Sequence, residues 1–243
     1  ISALKPDYII SAMWPLTIST TIAWMGSFFK GKLYLVEHCE FNSQHLSSLG
    51  VHSLFFSITV SIFYNLASRI IVVSDGVKHS LLDKSYLVSN KVNVIINGTP
   101  EINFSDILHS KKELFHTSDP VILGVGTLKP QKDFVTLIKA FHVVQKITPV
   151  KLAIIGDGET RASLEALVLK LQLSDKVIFT GLVDDTSAYF YHADVFVHSS
   201  FYDGMPLVLL EALAAGTQIV STDTPFGPKE ILNYGINGFL FNV

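Results

Sequence analysis

Charge is what this chain has least of. Of its 243 residues only 16% are Asp, Glu, Lys or Arg, against roughly 25% in an average soluble protein. Hydrophobic residues make up 49%. An intrinsically disordered chain needs the reverse balance, so the composition predicts one or two packed cores. Eighteen basic side chains against 21 acidic ones leave a formal charge of −3. Without a basic surplus to neutralise phosphates, nucleic acid is not an expected partner. Cysteine is limited to Cys39, which rules out an intrachain disulfide and fits a reducing, cytoplasmic setting. No Asp-x-Asp occurs and no two histidines stand four residues apart, so no metal site is expected. The opening ISALKPDY lacks the basic-then-apolar order of a signal peptide and begins at Ile1, as a chain trimmed at its start would.

Two stretches carry no charge at all. Residues 9–29 have the length of a membrane-spanning helix, but Pro15 interrupts them and Ser11, Thr17, Ser19, Thr20, Thr21 and Ser27 dilute them. A strand, a break at Pro15 and a buried helix is the expected reading. Residues 51–64 are too short to span. They predict a helix apolar on nearly all sides, either a core helix or one pressed against a membrane. Residues 1–117 carry 9 basic and 8 acidic side chains and residues 118–243 carry 9 and 13, so the halves are +1 and −4.

Short β-branched runs alternate with helical patterns along most of the chain. Strands are expected at 8–13, 32–38, 69–74 and 91–97, then at 121–126, 150–156, 176–181, 194–200, 217–223 and 238–243. Helices are expected at 134–146, 160–171, 186–191, 206–215 and 227–232. In 134–146 the apolar positions Leu137, Ile138, Phe141 and Val144 keep helical spacing. The later strands are apolar on both faces, as a parallel sheet covered on both sides requires. This rhythm predicts an α/β protein with two Rossmann-like, doubly wound parallel-sheet domains, the first incomplete. The expected boundaries are 1–105, a polar linker at 106–118, and 119–243.

In open α/β sheets, ligands bind beyond the carboxyl ends of the strands. Three junctions of the second half are candidates there. GVGTLKPQKDF (124–134) places Lys132 at a helix start, where a phosphate could be held beside backbone N–H groups, or where the lysine is merely solvated. IIGDGET (154–160) has Gly-x-Gly without a third glycine, and a tight turn supported by Asp157 or Thr160 is the better reading. SSFYDGMPLVLLEALAAG (199–216) leads into a helix whose expected apolar face is Leu207, Leu210, Leu213 and Ala214. Asp203 precedes that helix and Glu211 lies inside it. A carboxylate there needs a cation or hydroxyl partners.

That last block, with its two acids eight residues apart, resembles the signature of the retaining glycosyltransferases of family 4, which have the two-domain GT-B fold. GVGTLKPQKDFVTLIKAF is similar to the family's donor loop, and TPFGPKEIL (224–232) resembles a block of one branch. The resemblance implies transfer of a sugar from a nucleotide-diphosphate donor to a hydroxyl of a glycan or lipid-linked glycan, with retention of configuration and no cofactor. It implies that Glu211 binds the donor ribose, that Asp203 holds the transferred sugar, and that Lys132 steadies the diphosphate. Gly126, Thr127, Gly204 and the stretch Met205, Pro206, Leu207 and Val208 would line the donor site, and His38 would face sugar and acceptor. The family arginine beside the lysine is Thr127 here, and the family's first strand, Gly-rich loop and closing helices have no counterpart. An internal fragment is therefore expected. The alternative is a non-catalytic nucleotide-sugar-binding or scaffolding module. Peripheral contact with the inner face of a membrane is a further expectation, through residues 51–64.

Overall fold

The expected alternation of strand and helix is present in the computed structural model, which describes residues 1, 3–28, 31–39, 52–99, 101–102, 104–107, 109–224 and 226–242. Contacts resolve these into two units. One comprises Ile1–Asn97 with Asp203–Met205 and Pro225–Gly227, the other Gly98–Tyr202, Pro206–Thr224 and Pro228–Val243.

The first unit holds a parallel four-stranded sheet in chain order, β1 (Tyr8–Ala12), β2 (Lys32–Glu37), β3 (Arg69–Val72) and β4 (Val92–Val94). Residues 9–28 hold β1, a turn and the eleven-residue helix α1 (Leu16–Gly26), with Pro15 at its N-cap; Phe29 lies outside the described residues. The expected burial of this helix is corrected, since only Thr17 and Thr21 are buried while Leu16, Ile22 and Met25 are exposed. Among the described residues no helix is long and apolar enough to cross a membrane. Helix α2 (Ser53–Phe63) buries Phe56 and Val60, and its expected start at Val51 lies outside the described residues. Helix α3 (Asp75–Asp83) is capped by Ser74, whose hydroxyl accepts from the Val77 N–H. Strand β4 stops at Val94, short of the expected Asn97, because its ladder partner β3 ends at Val72. Successive side chains of a strand face opposite sides. In β2 this period buries Leu33, Leu35 and, with them, Glu37.

The second unit is a parallel six-stranded sheet, β5 (Val121–Val125), β6 (Lys151–Ile155), β7 (Val177–Gly181), β8 (Val195–His198), β9 (Gln218–Thr222) and β10 (Phe239–Phe241). Their spatial order is β10-β9-β8-β5-β6-β7. The order runs outward from β5 in one direction and from β8 in the other, so the topological switch point lies between these two strands. Alternate strand residues feed two cores. On one face α4 (Lys111–Phe115), α7 (Ser187–His192) and α8 (Leu207–Ala215) bury Phe115, Phe190, Phe196, Leu209 and Ala212. On the other, α5 (Phe134–Val144) and α6 (Arg161–Lys170) bury Phe134, Leu137, Ile138, Phe141, Leu164 and Val168. The last helix, α9, is short (Pro228–Ile231).

Two expected faces are corrected. Val144 ends α5 partly exposed, one turn beyond the residues that meet the sheet. The buried residues of α8 are Leu209, Leu210 and Ala212, whereas Leu207 is 51% exposed. This helix is apolar nearly all round, so its spacing fits more than one face and packing against α7 and the sheet decides. Within the expected linker, Ser110 and Glu113 form a reciprocal capping box that starts α4.

Candidate active site

At the carboxyl ends of β5, β6 and β7 the three loops are laced together through their backbones. Gly126 N–H donates to the Ile155 carbonyl at 3.0 Å, Leu128 N–H to that of Asp157 at 2.9 Å, and Gly156 N–H to that of Gly181 at 2.9 Å. The approach is close enough to require glycine: a Cβ on Gly156, whose φ is +133°, would stand 2.0 Å from the Gly126 carbonyl oxygen. The Gly-x-Gly turn is supported as expected by Asp157, whose Oδ1 accepts from Gly158 N–H at 2.7 Å. Thr160 makes no side-chain cap.

Lys132 ends a 3-10 turn (Pro130–Lys132) between β5 and α5. This turn is stitched to the segment after β8. Ser199 Oγ donates to the Lys132 carbonyl at 2.8 Å, Phe201 N–H to that of Gln131 at 2.9 Å, and Gln131 Nε2 to that of Tyr202 at 2.6 Å. These bonds place Lys132 at the β5/β8 switch point. Its methylenes run 3.8 Å from where a Cβ on Gly126 would lie, and Thr127 beside it is exposed. The amides at the start of α5 are less open than its sequence implies, because the Asp133 carboxylate accepts from Thr136 N–H at 3.2 Å. The N-terminus of α8, after Pro206, also has no side-chain cap. There the N–H groups of Leu207 and Val208 begin the helix with its positive dipole end.

Glu211 lies half-buried in the second turn of α8. Its partner is a hydroxyl: Thr186 Oγ1 donates to Oε2 at 2.9 Å. Among the described residues no cation forms a salt bridge with it. Asp203 is half-buried, Gly204 and Met205 are buried, and these three group with the first unit. Within that unit a Cβ on Gly204 would stand 2.1 Å from the His38 carbonyl oxygen, and the His38 side chain just past β2 is exposed. Lys132, Gly126 and Glu211 thus share one unit, while His38 and Asp203–Met205 share the other.

The family model for glycosyl transferases group 1 matches residues 106–243. The chain belongs to this family. Its relatives include the Campylobacter jejuni N-acetylgalactosamine-N,N'-diacetylbacillosaminyl-diphospho-undecaprenol 4-alpha-N-acetylgalactosaminyltransferase, 29% identical over 91% of this chain and 60% of that protein. The amylovoran biosynthesis glycosyltransferase AmsD of Erwinia amylovora is 31% identical over 94% of this chain and 62% of its own length. The chain therefore spans about three-fifths of these curated relatives. Anabaena HepE, solved with UDP and glucose, superposes with a TM-score of 0.84 at 22% identity over 99% of this chain and 65% of that one. Its likeness establishes the fold for this glycosyl transferase group 1 chain, two parallel-sheet Rossmann-like domains of the GT-B class.

Three polar groups escaped the sequence. Thr186 reads as an ordinary helix cap until Glu211, 25 residues on, takes its hydroxyl. His198 is buried at the end of β8, with Nδ1 3.0 Å from Ser221 Oγ. Glu37 is 1% exposed, and its carboxylate accepts from Tyr64 Oη, from Thr17 Oγ1 at 3.4 Å and from Trp14 N–H at 3.3 Å. Burial pushes the Glu37 carboxyl up to about 7, the hydrogen bonds opposing it only in part. Burial, with the neighbouring carboxylate, likewise raises Tyr64. A cavity of about 670 Å³ in the second unit, bordered by Glu101, His109, Asp185 and Tyr189, contains none of the sequence-predicted site residues. Among the described residues no cluster of three His, Cys, Asp or Glu could hold a metal ion.

Proposed function

We propose that the chain transfers a sugar from a nucleotide-diphosphate donor to an acceptor hydroxyl of a glycan or lipid-linked glycan, with retention of configuration and without a cofactor. The observation that carries this reading is Glu211. A glutamate kept only for structure in an apolar helix is expected to pair with a lysine or arginine. This one is held by a neutral hydroxyl, which orients the carboxylate and leaves its charge for a ligand. In this reading Glu211 accepts the donor's ribose hydroxyls. Lys132 and the first amides of α8 stabilise the leaving diphosphate, where negative charge develops as the glycosidic bond breaks. Asp203 binds hydroxyls of the sugar, and His38 faces sugar and acceptor.

The test is product formation, followed by mass spectrometry, with a panel of nucleotide sugars. Glu211→Gln is expected to lower kcat/KM for the donor about 10- to 150-fold, the equivalent of about 1.5–3 kcal/mol for a hydrogen bond to a charged group. Asp157→Asn, which alters a turn, is expected to change it little. Equal effects would remove Glu211 from the donor site. Thr127 favours a second reading, because a threonine there supplies no charge to the diphosphate. A binding module would show ligand-dependent stabilisation without product.

Membrane contact is proposed for α2. Leu54, Phe55, Ile58 and Ile62 are 61%, 59%, 48% and 56% exposed along it, a stripe at helical spacing suited to the interface of a lipid leaflet. The relative named for an undecaprenol-linked saccharide supports that direction. Phe56 is fully buried, so the informative variant is Phe55→Glu/Ile58→Glu. Wild type is expected to float with anionic liposomes and this variant to remain behind. A wild type indifferent to liposomes would leave α2 a structural helix.

A further inference from the structure

We infer that Thr186 is a positioning residue that presets the Glu211 carboxylate for the ribose of the donor. The inference rests on the donor reading proposed above and adds a residue to it. Thr186 occupies the N-cap of α7, where a threonine hydroxyl ordinarily accepts a hydrogen bond from the N–H two or three residues on. Here it caps nothing in its own helix. The Ser187 N–H donates to Asp185 Oδ1, at 2.8 Å, and the Thr186 hydroxyl donates across to Glu211 Oε2.

The geometry behind this bond is stiff. Thr217 Oγ1, just past the end of α8, donates to the Phe190 carbonyl of α7 at 2.6 Å. Phe190 in turn meets Phe196 of β8 edge-on, with ring centroids 5.1 Å apart. The two helices are thereby held together, and the branched Cβ of threonine restricts the hydroxyl to few rotamers. Each carboxylate oxygen can accept about two hydrogen bonds. One taken by Thr186 fixes the carboxylate plane, while Oε1, to which no described residue donates, and the remaining capacity of Oε2 are left for the two ribose hydroxyls. A lysine in place of Thr186 would fix the same plane but neutralise the charge that makes those bonds strong.

The experiment uses the full chain and whichever of UDP, GDP and ADP stabilises it most in a thermal-shift assay, together with the 2',3'-dideoxy form of that nucleotide. Dissociation constants are measured by calorimetry for wild type, Thr186→Val, Thr186→Ser and Glu211→Gln. Valine keeps the branched shape without the hydroxyl, and serine keeps the hydroxyl. Thr186→Val is expected to weaken binding of the ribose nucleotide about tenfold, Thr186→Ser less than about threefold, and neither is expected to change the dideoxy affinity. Equal weakening of both nucleotides by Thr186→Val would make its role merely structural and overturn the inference. So would wild-type affinity in Thr186→Val while Glu211→Gln binds poorly, and in that case the donor reading would survive. If no nucleotide binds, or Glu211→Gln binds as wild type, the donor reading fails and this inference with it. Should Thr186→Val fail to fold by circular dichroism, Thr186→Ala takes its place under the same criteria.

Discussion

Raising the pH from 4.5 to 8 is expected to destabilise the first unit by about 3 kcal/mol, with Glu37 as the cause. Its carboxyl titrates near 7 in the folded protein and at an ordinary carboxylate value when unfolded. Between those two values the folded state binds the extra proton, so stability falls as pH rises and is level again above about 7. The difference of roughly 2.5 units, at 1.36 kcal/mol each, gives the magnitude. Tyr64 is raised rather than lowered, so its own proton stays on throughout this window. Both tryptophans, Trp14 and Trp24, belong to the first unit, and tryptophan fluorescence during urea unfolding therefore reports it selectively. Glu37→Gln, neutral at every pH, is expected to flatten the profile and to be more stable than wild type at pH 8. A wild-type profile that is level, or that rises over this range, would show that the carboxyl is ionised and well paired in the folded state.

The position of Glu37 was legible and its meaning was not. Period-two alternation from Leu33 and Leu35 puts residue 37 on the buried face. Yet the groups that receive it, Thr17 and Tyr64, are 20 residues before it and 27 after it, and no local pattern joins them. The same holds at the proposed donor site. Gly126, Lys132 and Glu211 stand out because glycines end strands and charged residues interrupt apolar runs. Thr186 is silent, because a threonine before a helix is an ordinary cap.

The strands themselves were legible for a physical reason. Parallel strands covered on both faces are written as unbroken apolar runs ended by glycine or polar residues, and every expected strand of the second half is present. Contrast was lost where everything is apolar. In α8 the spacing of Leu207, Leu210 and Leu213 is as helical as that of Leu209 and Ala212. Packing against α7 and the sheet buries Leu209 and Ala212 together with the expected Leu210, and leaves Leu207 exposed. In α5, where Lys139 interrupts the pattern, three of the four expected core residues are buried.

The first glycine of the second junction, Gly156, is expected to be the least replaceable position near the site. Gly156→Ala should cost about 3–5 kcal/mol, combining an unfavourable backbone with the collision of two main chains. The new Cβ would fall 2.0 Å from the Gly126 carbonyl oxygen, and backbone cannot step aside as a flexible side chain does. Relief requires the β5 and β6 loops to part, which breaks the bonds from Gly126 N–H to Ile155 and from Leu128 N–H to Asp157. Gly126 lies against the Lys132 methylenes, so the displacement reaches the cation assigned to the diphosphate. Hydrogen exchange followed by mass spectrometry should show lost protection in peptides covering 121–128 and 151–160. Nucleotide affinity should fall in the same variant, while Gly216→Ala, at a helix end with open space around it, carries only the smaller cost of a left-handed residue, about 1 kcal/mol. Undiminished protection and nucleotide affinity in Gly156→Ala would mean that the two loops are not joined as tightly as their backbone bonds indicate, and that Lys132 does not depend on them for its place.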